Sequence, residues 1–571
     1  MSDLPKGISE RLGGQGKAES SVAILMLLFM LVLSAVPAFR AVHGLEWGPV
    51  MDFYRDGSYV HSILEGHYGQ DPQFKGEHLW YTPLIFGLEA LLVKVTGLPV
   101  QTLLVQAGPW LNLLAPVCFF IMAWYFRGGV TAVAATAIYL FFLIGDEPAW
   151  AVPTYTPWLI PISLVQGFFY LGLIAVHRAF RGGRLAAYLG MGALSGVIFM
   201  THAAPALILV AIIAILTVDA LWIPLLQGNW RQVRRVSGLS LGAAVMFMLF
   251  ALPLLRYIVG DYGMRMINRA PFLYTYELLT LHHIRLFLFY NITWVTVAGL
   301  AGVALLMNEV WRRSILRPRI ELWWFLICLA LFLYAYLVSI LNAYLGVHLP
   351  GTAPSFHYFF YMKAALVLQA GAAIAWMAQK LPMAPGRARA FAMLVWVLPI
   401  AIVYPGYSGR MDLYGMRALS LKISEDADLV AMFYCLQDDL AWDDVVLCDD
   451  DLSVFPLMPS ARKAVATVCT MANPYVDLPP RVADRDAMMD GLRTERADQG
   501  ALLAKYDVTH LLVRAADEVK MPLRGQWFPI TVLRTEGYVL FARGDSAIRM
   551  SWAGRDLLEK SPQPSRSTAT L

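Results

Sequence analysis

The chain has 571 residues, of which 58% are hydrophobic and only 15% charged, and its formal net charge is +4. This composition excludes an ordinary soluble protein and predicts an integral membrane protein. The five cysteines have no metal-like spacing, which argues against a zinc site. If Cys435, Cys448 and Cys469 face an oxidising compartment, they allow one disulfide, with one thiol left over.

Apolar runs of roughly 18–25 residues recur as far as Pro405 and predict a mainly α, polytopic helical bundle of about eleven membrane spans. The polar tail 1–20 precedes the first run and carries Lys6, Arg11 and Lys17, which favours a cytoplasmic N-terminus. The first run is too long for a signal peptide. The predicted spans are 21–42, 100–126, 128–145, 157–179, 185–201, 203–224, 237–258, 287–309, 321–344, 358–380 and 390–407.

The run 83–97 is short and contains Glu89 and Lys94. We predict a helix along the membrane interface, because only then do all the basic loops share the side of the N-terminus. These loops are 126–129, 177–184, 229–235, 311–319 and 380–389. The segments predicted to lie outside are 43–99, 145–156, 259–285, 342–357 and everything after 407.

The composition changes near residue 408, where long apolar runs end and acidic residues become frequent. We predict an outer C-terminal α/β domain over 408–557, followed by a disordered tail over 558–571. Within this domain we expect strands at 443–449 and 510–514, a hairpin over 532–543, and helices over 429–440 and 487–505.

The stretch from Asp52 to Pro83 is the most polar part of the first 400 residues and contains two candidate bases, Asp52 and Asp56. A carboxylate near the membrane is costly unless it is used or paired, and a carboxylate can accept the proton of an acceptor hydroxyl. The alternative is that Asp56 caps a surface helix. Asp52 is the weaker candidate, because it can pair with Arg55 or Arg40.

A second acidic pair, Asp146 and Glu147, follows the third span and precedes an aromatic, proline-rich segment. These acids are expected to bind a sugar hydroxyl, a cationic partner or, with the first-loop acids, a divalent cation. The alternative is that they are solvated charges at a helix end. The identity of any metal ligand is left open.

Basic candidates for a lipid phosphate lie in the later outer segments. Lys363 lies about five residues inside the tenth span, at headgroup depth, and the alternative is a lysine that snorkels to bulk headgroups. A lone histidine, His202, interrupts an apolar stretch at an outer turn and either contacts substrate or serves structure. The other basic candidates are Arg265, Arg269, His283 and His357.

With these residues in view, the chain resembles the GT-C superfamily of polytopic membrane glycosyltransferases. In the first loop the resemblance lies in Asp56-Gly-Ser-Tyr59, in two juxtamembrane segments, 53–66 and 83–97, and in Trp80-Tyr81-Thr82-Pro83. It continues in GALSGVIFMTHAAPALIL and in the C-terminal stretches NPYVDLPPRVADRDAMM and LLAKYDVTHLLV.

The resemblance implies a polyprenyl-phosphate sugar donor, transfer on the outer face and a first-loop aspartate as base, with Tyr59 and Tyr81 among the substrate-binding residues. Two features depart from the family. Many members have Asp-Glu where this chain has Asp56-Gly57, which leaves the choice between Asp52 and Asp56 open. Many bind the donor phosphate with a late arginine, where this chain offers His357 and Lys363.

We therefore expect a glycosyltransferase of a bacterial plasma membrane, inverting or retaining, that acts on a glycan, lipid or protein acceptor. Its partners would be the donor, the acceptor and membrane lipids, and not nucleic acid. The sequence contains no HExxH motif and no P-loop, and the lack of a P-loop argues against a nucleotide-driven enzyme. An O-antigen ligase or polymerase and a lipid or sugar transporter are the alternatives; the transporter predicts inverted repeats, which are not evident.

Overall fold

A computed structural model of the chain describes residues 17–49, 51–142, 144–145, 152–264, 266–267, 281–313, 315–347, 349, 353–380, 385–412 and 415–544. The protein is a helical membrane bundle with a small C-terminal α/β domain, which confirms the predicted fold class. Within the described residues, nine helices are long and apolar enough to cross a membrane, and two shorter apolar helices accompany them.

Each of the eleven predicted spans corresponds to one of these helical segments. The long segments are Glu19–Val42, Val100–Arg127, Pro161–Gly182, Ala203–Leu226, Trp230–Asp261, Trp294–Arg312, Leu316–Val338, Ser355–Ala378 and Gly386–Arg410. The shorter ones are Gly129–Phe141 and Leu185–Thr201. The side of the membrane on which each loop lies stays a prediction.

Several spans are interrupted or extended relative to their apolar runs. The segment 100–127 consists of three helices, Val100–Gln106, Gly108–Leu111 and Leu114–Arg127. The full bounds of other helices are Lys17–Val42, Trp230–Leu255, Trp294–Arg313, Leu316–Leu345, Pro385–Leu394 and Val397–Arg410. A further helix, Leu281–Asn291, precedes Trp294–Arg313. A π-helix, Arg256–Asp261, ends the long helix that begins at Trp230.

The buried core of the bundle contains the Ser355–Ala378 helix, most of whose residues are buried. One charged network fastens this helix to its neighbours. Arg127 pairs with Glu309 at 2.7 Å and with Glu321 at 2.8 Å, and Gln369 donates to the same Glu321 carboxylate at 2.7 Å. Because an unpaired buried charge is costly, these partners hold four helices in one arrangement.

The first loop, residues 43–99, contains two helices, Met51–Leu64 and Leu84–Thr96. The second follows Pro83 and ends at Gly97, whose φ of +70° suits glycine and whose N–H donates to the Val93 carbonyl at 2.8 Å. The predicted helix at 83–97 is therefore confirmed, while its position along the membrane interface stays a prediction.

The C-terminal domain is built on a five-stranded sheet in the order β2-β1-β3-β5-β4. The strands are β1 Val445–Leu447, β2 Lys463–Ala464, β3 Val508–Arg514, β4 Ile530–Arg534 and β5 Tyr538–Ala542. Strands β2, β1 and β3 are parallel, and β3, β5 and β4 are antiparallel. The predicted strands and the hairpin are confirmed, and the short edge strand β2 was not predicted.

The helices of this domain agree only partly with the prediction. Ala427–Asp439 matches the helix expected at 429–440, but the single helix expected over 487–505 is wrong. The chain forms Leu478–Gly491 and Gln499–Lys505 instead, because the Gln499 amide donates to the Met488 carbonyl at 3.0 Å and turns the chain back. The remaining helices are Met416–Glu425, Asp450–Leu452, Ala515–Glu518 and Arg524–Trp527, with short turns at Ser453–Leu457 and Met458–Ser460.

The cysteines form no disulfide in this structure. All five are free, and four of them are buried. Cys435 and Cys448 pack in the apolar core of the C-terminal domain, and Cys469 is partly exposed. The disulfide allowed by the sequence is therefore absent here.

The Leu185–Thr201 helix offers a matched pair of glycines. A Cβ atom on Gly192 would lie 2.1 Å from the carbonyl oxygen of Ala243, whereas nothing lies within 4 Å of one on Gly190. We expect Gly192→Ala to lower the free energy of unfolding by about 1–3 kcal/mol, because its helix and the Trp230–Leu255 helix, which carries Ala243, must separate. Gly190→Ala should leave it unchanged or raise it by up to about 1 kcal/mol. Thermal unfolding in detergent measures both, and equal stabilities would contradict this close packing.

Candidate active site

The two candidate bases lie on the Met51–Leu64 helix. The helix begins at Met51, so Asp52 lies in its first turn and Asp56 one turn further on. The alternative that Asp56 caps this helix is therefore wrong, because a capping residue precedes the first turn. The side chain of Asp52 is 41% exposed and that of Asp56 only 2%. The two carboxylates therefore differ in their surroundings although they share one helix.

Arg55 joins the two carboxylates. Its Nη1 atom lies 3.0 Å from Asp52, while Nε and Nη2 donate to the Oδ1 atom of Asp56 at 2.9 and 2.7 Å. The same guanidinium lies 4.4 Å from the ring centroid of Tyr81. Of the two partners that the sequence offered Asp52, Arg55 is the one found in the structure.

Burial raises the pKa of Asp56 to about 7, and the neighbouring charge of Asp52 adds to the rise while Arg55 opposes it. A carboxyl group with a pKa near neutrality can exchange its proton at physiological pH. That is the property required of a general base. Of the two candidate bases, Asp56 is therefore the buried one and Asp52 the exposed one.

An aromatic wall lines the same region. The Tyr59 ring stacks on Phe86 at a centroid distance of 4.9 Å and lies 6.2 Å from the Tyr81 ring. Burial raises the pKa of Tyr59, and it raises the pKa of Tyr81 to about 12. Both phenols therefore remain neutral. The hydroxyl of Tyr59 is buried without a hydrogen-bond partner among the described residues.

Two histidines far apart in sequence meet beside this loop. The rings of His202 and His357 have centroids 4.6 Å apart, and the charge of Arg55 acts on both. The Thr82 hydroxyl donates to the Thr201 carbonyl at 2.9 Å, which fixes the turn before Pro83 against this junction. The fold therefore brings His202 and His357 together with the first-loop acids.

Lys363 lies on the same helix as His357, about 9 Å further along its axis. Its side chain is buried, with 1% of the residue exposed. The Nζ atom lies 3.4 Å from the Gly145 carbonyl and 4.5 Å from the ring centroid of Phe359. A buried ammonium does not extend to bulk headgroups, so the snorkelling alternative does not describe this side chain.

The remaining predicted site residues lie outside the described part of the chain. Asp146, Glu147, Arg265 and Arg269 fall in undescribed stretches, and His283 belongs to a helix in which its side chain is undescribed. The described residues contain no group of three or more His, Cys, Asp or Glu that could hold a metal ion. A divalent cation stays a prediction.

The second half of the first loop binds the C-terminal domain. Asp71 is buried, and its carboxylate accepts from the backbone N–H of Gln73 at 2.7 Å and from the Asn473 amide at 2.8 Å. Lys463 donates to the Asp71 carbonyl at 2.7 Å, and Ala464 donates its backbone N–H to the Gln73 carbonyl at 2.8 Å. The loop thus pairs with the edge strand β2.

The stretch Asp52–Pro83 therefore has two roles. Its first helix carries the acids, and the part around Asp71 anchors the loop to the C-terminal domain. Sequence reasoning treated Arg55 only as a partner for Asp52 and did not select Glu89 or Gln101, which are buried beside the acid helix. The signal for Glu89 was its charge within an apolar run. Gln101 gave no such signal.

No protein-family model matches the chain, and no curated protein matches it. Solved structures are similar to it. The apo Archaeoglobus fulgidus oligosaccharyltransferase is 10% identical over 89% of this chain and 72% of its own, with a TM-score of 0.48. Cupriavidus metallidurans ArnT bound to undecaprenyl phosphate is 13% identical over 90% and 97% of the two chains, with a TM-score of 0.47. The Archaeoglobus enzyme AglB with an inhibitory peptide and a dolichol-phosphate is 11% identical over 88% and 72%, with a TM-score of 0.43.

Gly57 gives the Gln101 amide room beside the acid helix. A Cβ atom on Gly57 would lie 2.8 Å from the Gln101 Nε2 atom, whereas nothing lies within 4 Å of one on Gly87 in the neighbouring helix. Both substitutions to alanine improve helix propensity by about 0.5–1 kcal/mol. We expect Gly87→Ala to gain this stability and Gly57→Ala to gain less, because the end of the buried Gln101 side chain must shift. Thermal unfolding of both variants measures the difference, and an equal gain would contradict the contact.

Proposed function

We propose that the protein is a GT-C-type glycosyltransferase that moves a sugar from a polyprenyl phosphate to a lipid, glycan or protein acceptor on the extracytoplasmic face. The observation that carries the proposal is the buried Asp56 carboxylate, held by Arg55 beside the His202–His357 pair at the ends of membrane helices. The resemblance of the first loop to GT-C sequences supports the donor class.

Asp56 accepts the proton of the acceptor in this proposal. The acceptor atom forms its bond to the anomeric carbon, the bond between that carbon and the phosphate oxygen breaks, and the phosphate keeps the electron pair. Arg55 holds the Asp56 carboxylate through its Oδ1 atom, and no described residue donates to Oδ2. That oxygen is therefore the one assigned to the proton.

The donor phosphate is assigned to basic groups next to the bundle. Lys363 is a buried cation on the helix that carries His357, and an ammonium group suits a phosphate. Arg265, Arg269 and His283 complete the proposed phosphate site. The polyprenyl tail would lie along the apolar helices.

The C-terminal domain is assigned to the acceptor. Its contact with the first loop through Asp71, Lys463 and Asn473 supports this role, because the domain borders the loop that carries the base. The partly exposed Tyr81 is assigned to sugar or acceptor contacts, since aromatic rings pack well against sugar faces, and the buried Tyr59 is assigned to the same site as part of the aromatic wall behind it. The distribution of basic loops supports the extracytoplasmic side. A divalent cation at Asp146 and Glu147 remains part of the proposal.

Asp56→Asn is the test of the base, with Asp52→Asn as its matched control on the same helix. The purified enzyme is incubated with a panel of polyprenyl-phosphate sugars, with and without chelator, and product is quantified. We expect Asp56→Asn to lower kcat by roughly 10²–10⁴-fold, because the amide cannot accept the proton. Asp52→Asn should keep activity within about tenfold. Full activity of Asp56→Asn would overturn the assignment.

The pH profile separates the two acids further. Since Asp56 acts as the carboxylate, kcat/KM should fall as pH drops through about 7, the pKa of this group. Asp52 raises the pKa of Asp56 through its negative charge, so Asp52→Asn should move the acidic limb to lower pH by less than about one unit. An unchanged or alkaline-shifted limb in that variant would contradict the arrangement.

A further inference from the structure

Two helices pack against the helix that carries Asp56, one from the first loop and one from the span after it. Met51–Leu64 packs against Leu84–Thr96 and against Val100–Gln106, and the latter two also touch each other. Glu89 projects from the second helix and is 1% exposed, and Gln101 projects from the third and is 4% exposed. Neither residue belongs to the site proposed above.

The polar atoms of these two side chains lack partners. Glu89 Oε2 and both amide atoms of Gln101 are buried and make no hydrogen bond to any described residue. Buried polar atoms in proteins are almost always bonded, to protein or to ordered water. Ordered water is the usual partner of buried polar atoms that no protein group satisfies, so we expect water at these side chains.

The contact with Gly57 places this group next to the base. The Gln101 amide lies against Gly57, the residue after Asp56, closely enough that a Cβ there would meet its nitrogen. The charge of Asp56 in turn acts on Glu89. Asp56 is therefore held at Oδ1 by Arg55, while the Gln101 amide contacts the next residue along the helix and Glu89 lies within reach of the Asp56 charge.

The electrostatic surroundings favour a neutral Glu89. Burial, followed by the negative charge of Asp56, raises the pKa of Glu89 well above its ordinary value. The Val100–Gln106 helix carries no charged side chain, and the acid helix presents Asp52, Arg55 and Asp56, of which Arg55 is taken by the two aspartates. The exposed Lys94 is more than one turn away on the helix of Glu89. A neutral Glu89 can donate a hydrogen bond through its O–H.

We propose that Glu89 and Gln101 are positioning residues that hold an ordered water beside Asp56 and thereby orient its carboxylate for proton transfer. The catalytic part of this inference rests on the proposed function. The O–H of Glu89 and the N–H of Gln101 donate hydrogen bonds to the water, and the water donates a hydrogen bond to the Asp56 carboxylate. Glu89 touches neither donor nor acceptor.

Kinetics of two Glu89 variants test the positioning role. Glu89→Gln retains a donor and the side-chain shape, so we expect kcat within about threefold of wild type and an unchanged acidic limb. Glu89→Leu removes the donor, so kcat should fall roughly 100-fold with little change in KM. Gln101→Leu should lower kcat in the same way. Lys94→Gln, on the exposed face of the helix, is the matched control with unchanged activity. An inactive Glu89→Gln would overturn the proposal and indicate an ionised glutamate, as in a cation site.

An activity-independent measurement separates this inference from the proposed function. Infrared spectroscopy of the purified protein above pH 8 should show a carbonyl band of a protonated carboxylic acid that shifts in heavy water. The band should be lost in Glu89→Gln and kept in Lys94→Gln. A spectrum unchanged in Glu89→Gln would overturn the neutral Glu89. If no sugar donor is used by wild type, the proposed function fails, while this band still decides the state of Glu89.

Discussion

The candidate site depends on the fork of Arg55, which is the pairing of its guanidinium with both Asp52 and Asp56. One guanidinium holds an exposed carboxylate, Asp52, and a buried one, Asp56, and it lies 4.4 Å from the centroid of the Tyr81 ring. A buried carboxylate without a partner costs several kcal/mol, roughly what a buried ion pair loses when one member is removed. The paired cation lets Asp56 remain buried near the membrane, and burial keeps its pKa close to neutrality. The same contact therefore bears on the stability of the loop and on the pKa of the candidate base.

This fork is supported from two directions. On the side of the membrane bundle, the Thr82 hydroxyl donates to the carbonyl of Thr201, so the loop is held against the junction that carries His202. On the side of the C-terminal domain, the part of the loop around Asp71 pairs with the edge strand β2. The loop is therefore clamped between the membrane bundle and the C-terminal domain. This explains why so polar a stretch has a defined structure.

The helical spans and the strands were predictable because their signals are local. A run of apolar residues as long as a bilayer is thick has few folded alternatives, and the hairpin at Glu536-Gly537 has both alternating strands and a turn residue. The helix expected over 487–505 failed for the opposite reason. Its break depends on the Gln499 amide reaching the Met488 carbonyl, a contact that propensity does not report.

The sequence alone determined the membrane bundle, the C-terminal α/β domain and the short set of acids, histidines and basic residues within which a site had to be sought. Only the tertiary structure decided that Asp56 is the buried acid and Asp52 the exposed one, and that His202 meets His357. It also buried Glu89 and Gln101 on helices that pack against the helix of Asp56. The physical reason is that hydropathy and helix length are properties of a segment, whereas burial and pairing depend on which distant segments pack against it.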